Sequence, residues 1–174
     1  MKHRNTCRSA VRNVCGTVLI LALCAAFATA ARAQDRLAKY RAQYQQQTDL
    51  VRKAKLLGQM GPLEVDLARA SFKAGDDEQA LDILTRYAGE AQKITEALMA
   101  TGADAVRRPA GFKELQIGLR VSLGRLDDLI LTIPVDKRPW FRSVRSDLAD
   151  LQNTLIDALF RSPDKRVNSA SGGN

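Results

Sequence analysis

Beyond residue 33 the 174-residue chain contains no cysteine and no histidine, since Cys7, Cys15, Cys24 and His3 all fall before that point. A product beginning at residue 34 would have no disulfide, no thiolate or imidazole metal ligand, and no Cys-based or His-based catalysis. Other chemistry is missing from the pattern as well. There is no glycine-rich phosphate loop, no GxSxG turn, no SxxK pair, and no loop with acids at alternate positions of the kind calcium needs. No segment alternates with period two for long enough to form a strand, and no strand–helix–strand unit can be drawn. These absences exclude most enzyme classes, and no residue is assigned a catalytic, cofactor-binding or metal-ligating role.

An excess of charge is also missing once its distribution is considered. The formal balance of +8 comes from 27 basic and 19 acidic residues, but Lys2, Arg4, Arg8, Arg12 and Arg32 lie in the first 33 positions, where there is no acid. The remainder holds 22 basic against 19 acidic groups, a balance of +3. Spread along the chain, that is not the footprint of a nucleic-acid binder.

The first 33 residues have an order of their own: a basic stretch ending near Arg12, an apolar run from Val14 to Ala31, then Ala31, Arg32 and Ala33. This is the organisation of a secretory signal peptide, with cleavage expected between Ala33 and Gln34 and an exported product, periplasmic or secreted. An uncleaved anchor is the alternative, because an apolar run of about 17 or 18 residues is near the lower limit for spanning a bilayer. Leu23 before Cys24 disfavours a lipid anchor. The expected organisation is thus a signal peptide over 1–33, a helical domain over 34–161 and a disordered tail over 162–174.

In the helical domain, apolar residues recur at three- and four-residue spacings. A first helix is expected over Asp35 to Leu57, with Leu37, Tyr40, Tyr44, Val51 and Ala54 on its stripe, weakened by the polar run Gln45 to Thr48 and ended by Gly58. A second, Pro62 to Ala74, is apolar on two faces, and Gly75 terminates it. Asp76 or Asp77 caps a third, carrying Ala80, Leu84, Tyr87, Ala91, Ile94 and Leu98 and stopping at Gly102. A fourth, Ala110 to Ile133, contains Gly118 and Gly124, each costing on the order of 1 kcal/mol relative to Ala, so it depends on packing. A fifth runs from Pro139 to about Arg161 with Phe141, Val144, Leu148, Leu151, Leu155 and Leu159. The expected fold is all-α, a five-helix bundle or a short array of helical hairpins; Pro62, Pro109, Pro134 and Pro139 divide the chain too finely for a long coiled coil.

Within residues 64–97 the spacing Leu67, Ala68, Gly75, Ala80 and Leu84 resembles a single tetratricopeptide-like hairpin, in which small residues let two helices approach and a glycine turns the chain. The match departs from that pattern at Ser71, where an aromatic is usual, and at Tyr87, where a small residue is usual; the closing proline is missing and no second copy follows. An ordinary helical hairpin inside a bundle is the other reading. The resemblance implies a protein-binding scaffold with a concave groove, and no chemistry.

The candidate partner-binding residues follow from that groove between helices two, three and four: Leu67, Ala68, Phe72, Tyr87 and Arg107, with Trp140 added for its setting among Lys137, Arg138, Arg142 and Arg145. Trp140 and Phe141 could instead staple the start of the fifth helix to the core. The paired acids Asp76 with Asp77, Asp127 with Asp128, Glu64 with Asp66, and Asp147 with Asp150 are expected at helix starts or on solvated faces. The expected function is a non-enzymatic protein-interaction or scaffold module of the cell envelope, with no cofactor and no nucleic acid. The alternatives are binding to an anionic membrane surface, an apolar ligand held between helices three, four and five, and a hydrolase using a buried carboxylate beside a second titratable group. The oligomeric state is open.

Overall fold

The computed structural model describes residues 34–160. The expected signal peptide and the expected disordered tail therefore lie outside the described residues. Two compact units divide the chain, residues 1–38 and 39–174. Of the first, only 34–38 are described, and they are helical. The second is the bundle.

Five helices and no strand are found among the described residues, so the fold is an all-α helical bundle. They are α1 (34–46), α2 (Leu50–Lys73), α3 (Asp77–Ala100), α4 (Phe112–Thr132) and α5 (Arg138–Phe160). Helix α2 packs against both α3 and α4, and α5 packs against α3 and α4. The core is mainly leucine, with Leu84, Leu115, Leu119, Leu126, Leu148 and Leu155 fully buried around Phe112 and Phe141.

The count of five agrees with expectation, but the first two helices divide differently. The chain breaks at 47–49, inside the expected first helix, and runs unbroken through Gly58, Gly61 and Pro62, where a boundary was expected. Side-chain hydrogen bonds make the break. The Asp49 carboxylate accepts from the Arg52 backbone N–H at 2.7 Å, and Gln47 Oε1 accepts from the Thr48 and Asp49 amides, each at 3.1 Å. Asp49 is thus an N-cap, a stronger start signal than the apolar stripe that bridges it.

Continuity through Pro62 is a tertiary effect. Proline inside a helix removes one backbone donor and costs roughly 3 kcal/mol. Here the segment around it is the most closely packed part of α2, with Leu57, Gly58, Met60, Gly61, Glu64 and Val65 buried. A Cβ on Gly118 would overlap the backbone of Gly58, and a Cβ on Gly58 would lie 2.7 Å from the Glu114 carbonyl oxygen. The α2 and α4 backbones therefore touch at Gly58 and Gly118, and burial along that contact outweighs the local preference to break. Arg125 fastens the same crossing from outside, donating to the Pro62 carbonyl at 3.1 Å and pairing with Asp66, while Arg69 donates to the Arg125 carbonyl at 2.9 Å.

The α2–α3 turn forms as expected. Gly75 has φ 87°, a left-handed conformation suited to glycine, and Asp76 caps α3 by accepting from the Gln79 amide at 3.0 Å.

Candidate functional site

Three places on the bundle combine accessible surface with organised side chains. The first is a polar cluster over α1, α2 and α3. Glu64, only 3% exposed, accepts from Arg41 Nε at 2.8 Å and Arg41 Nη2 at 2.5 Å, and Arg86 Nη2 lies 3.5 Å from its second oxygen. Beside it the Tyr44 hydroxyl donates to Glu90 Oε2 at 2.7 Å, Lys93 donates to the other Glu90 oxygen at 3.2 Å, and the Lys53 ammonium sits 5.2 Å from the Tyr44 ring centre. The Tyr44 hydrogen bond, with help from Lys93, holds the Glu90 carboxyl below the usual carboxylate range. Burial and the neighbouring Glu90 charge push the Tyr44 hydroxyl above its ordinary value. A carboxylate clasped by two guanidinium groups is a structural ion-pair partner.

Beneath this cluster Tyr87 is 2% exposed, its hydroxyl 3.2 Å from Ser122 Oγ. Ser122 commits its one hydrogen to the Gly118 carbonyl at 2.8 Å, so Tyr87 is the donor. Burial pushes the Tyr87 hydroxyl up to about 12. Gly61 makes the arrangement possible, because a Cβ there would overlap the Tyr87 hydroxyl.

The second place is the bundle end where α2 meets α3 and α4 meets α5. Lys137 pairs with Asp77, and the Phe72 and Phe141 rings meet edge to face with centres 5.9 Å apart. Arg138 donates to the Ile133 carbonyl at 2.8 Å, folding the first turn of α5 back on the last turn of α4. Around this corner Leu131, Val135 and Trp140 stand 73%, 74% and 57% exposed.

The third place is the opposite end. A cleft of about 700 Å³ opens between the starts of α2 and α4, the end of α3 and the loop 101–111. It is formed by α2, α3 and α4, not by α3, α4 and α5, where the alternative reading of an apolar-ligand bundle would place its cavity.

The six candidate residues do not share one surface. Ala68 is fully buried and Tyr87 nearly so, which places both in the core rather than in a groove, because α3 and α4 both close over α2. Leu67 and Phe72 are half-buried against that core. Arg107 extends into solvent, 3.5 Å from Asp104. Only Trp140 combines a large apolar body with open exposure; its neighbour Phe141 is the buried staple.

Three acids are placed differently from expectation, Asp66 among them through its pairing with Arg125. Glu64 is a buried ion-pair partner rather than a helix-surface acid, and Asp127 is bound by Arg145 Nε at 2.7 Å rather than simply solvated. The sign that could have marked Glu64 was its place on the same helical face as Leu57, Gly61 and Ala68. Every aspartate named among the acid pairs keeps at least partial exposure. Among the described residues no group of three or more His, Cys, Asp or Glu side chains is arranged to hold a metal ion, and no helix is long and apolar enough to cross a membrane. Comparison with protein-family models, with curated proteins and with solved structures found no match.

Proposed function

We propose that the protein is an exported, non-catalytic binding module that docks a protein partner on the α4–α5 corner. The observation that carries this is the exposure of Leu131, Val135 and Trp140 along one short stretch of chain. Exposed large apolar groups beside a tryptophan are the usual anatomy of an interface centre. The charge at this end favours a protein over a polyanion or an anionic membrane surface. Lys73, Lys137, Arg138 and Arg142 are balanced there by Asp76, Asp77, Glu78 and Asp136, whereas binding to either of those surfaces draws on a positive excess. Export rests on the basic, apolar and small-residue order of the first 33 positions.

The test is paired affinity capture from an envelope extract, with the natural protein and a Leu131→Ser/Trp140→Ser variant as baits. Both side chains are exposed, so the variant keeps the same far-ultraviolet circular dichroism. The expected result is a stoichiometric partner retained by the natural protein and lost by the variant. Equal recovery by both baits, or no stoichiometric partner for either, overturns the proposal.

A further inference from the structure

We infer that the cleft at the other end of the bundle is a binding site for an amphipathic monocarboxylate, an alkyl chain ending in one anionic group. The inference stands apart from the protein-docking corner and rests on different residues.

The floor and walls of the cleft are apolar. Leu98 and Phe112 are buried at its base, and Leu50, Val51, Pro109 and Ala110 continue the lining outward. Gly111, at φ 87°, brings the loop down onto this floor; a Cβ there would lie 3.1 Å from Leu98 Cδ2 and 3.4 Å from Val51 Cα. The volume of about 700 Å³ falls within the range of small-molecule sites.

The charged groups of the cleft are sorted by sign. Both acids are committed to backbone: Asp49 accepts from the Arg52 amide at 2.7 Å, and Glu114 Oε2 accepts from the Gly111 amide at 2.7 Å. The two cations, Arg108 and Lys113, are exposed and make no ion pair among the described residues. The starts of α2 and α4 open here with their positive dipole ends already met by Asp49 and Glu114, and the end of α3 lines the same cleft, so the anion-seeking groups at the rim are the Arg108 and Lys113 side chains themselves. An apolar floor under two cations that make no ion pair among the described residues selects a ligand whose body leaves water while its single negative charge stays at the rim. An extended peptide is a poorer fit, because helical walls offer no strand edge to pair with it.

The experiment is calorimetric titration of the purified protein with decanoate and, in parallel, with 1-decanol, which has the same chain and no charge. Saturable one-to-one binding of decanoate is expected, with decanol at least about tenfold weaker, since a charge-assisted hydrogen bond contributes on this scale. Arg108→Gln/Lys113→Gln should weaken decanoate by about tenfold or more and leave decanol unchanged. Val51→Glu places a carboxylate in the cleft at a first-turn position where the helix dipole favours an acid, so the fold is kept while decanoate binding is lost. Absence of saturable decanoate binding, equal affinity for decanol, or indifference to either variant overturns the inference.

Discussion

Helix α4 is held on two sides by opposite means. Towards α2 the contact is made by what is missing: Gly58 and Gly118 let the backbones touch, Gly61 opens room for the Tyr87 hydroxyl, and Ser122 turns its polarity inward. Away from α2 the same helix carries Gly124, around which an added Cβ would meet nothing within 4 Å, and Asp127, which reaches Arg145 of α5 across half-exposed surface. The first seam tolerates no added volume, while the second side accepts it. Identical residues in one helix therefore have opposite meanings, set by what lies across from them.

The strongest way to break this contrast is Gly118→Leu. No rotamer avoids the Gly58 backbone, so the α2–α4 seam must open, and the cooperative thermal transition is expected to be lost. A variant that melts as the natural protein does would show that the seam is not close-packed.

A milder probe of the same seam is Tyr87→Phe, expected to cost about 1 kcal/mol in urea unfolding at neutral pH. It has a distinct pH signature. The folded-state value of Tyr87 is raised from 10.0 to about 12, so its contribution is complete below pH 10 and is lost as the pH rises from 10 towards 12, where the unfolded chain ionises first. Tyr44, raised in the same direction, adds to this alkaline decline. The unfolding midpoint of the natural protein should fall across that interval, and that of the Phe variant should fall less. Equal alkaline slopes would remove Tyr87 from the account.

The smallest effect sharpens the comparison from the other side. Gly124→Ala fills open space on an exposed helical position and should stabilise by about 0.5–1 kcal/mol, through the lower entropy of the unfolded chain. Destabilisation in the same urea assay would mean that this side of α4 is covered.

The legibility of the sequence followed the same division. The stripe of α3 and a cap at Asp76 or Asp77 could be read directly, because periodicity and capping are local; the fold selects Asp76. So could the stripe of α5 with Phe141 on it, whereas the sequence left Trp140 either stapled beside Phe141 or exposed, and only the fold separates the two. The division of α1 from α2 could not, because Gly58, Gly61 and Pro62 look like a boundary until α4 is laid against them. Asp49 was legible as an N-cap in principle, but the apolar stripe running past it concealed the break. The α4–α5 corner was half visible, through Trp140 alone; Leu131 was indistinguishable from core until its direction was known. The loop-end cleft left no local trace, since its floor comes from the ends of three helices that only the fold brings together.

The clasp on Glu64 has a consequence for how far the chain can be trimmed. Helix α1 supplies Arg41, the group that neutralises a carboxylate sealed inside the molecule. A fragment beginning at Leu50 would retain every leucine of the main core and still leave that negative charge with only the more distant Arg86. Stranding an interior charge costs several kcal/mol. The minimal autonomous unit is therefore bounded by an electrostatic requirement as well as by the apolar packing of Tyr44 on the core, and it must reach back at least as far as residue 41.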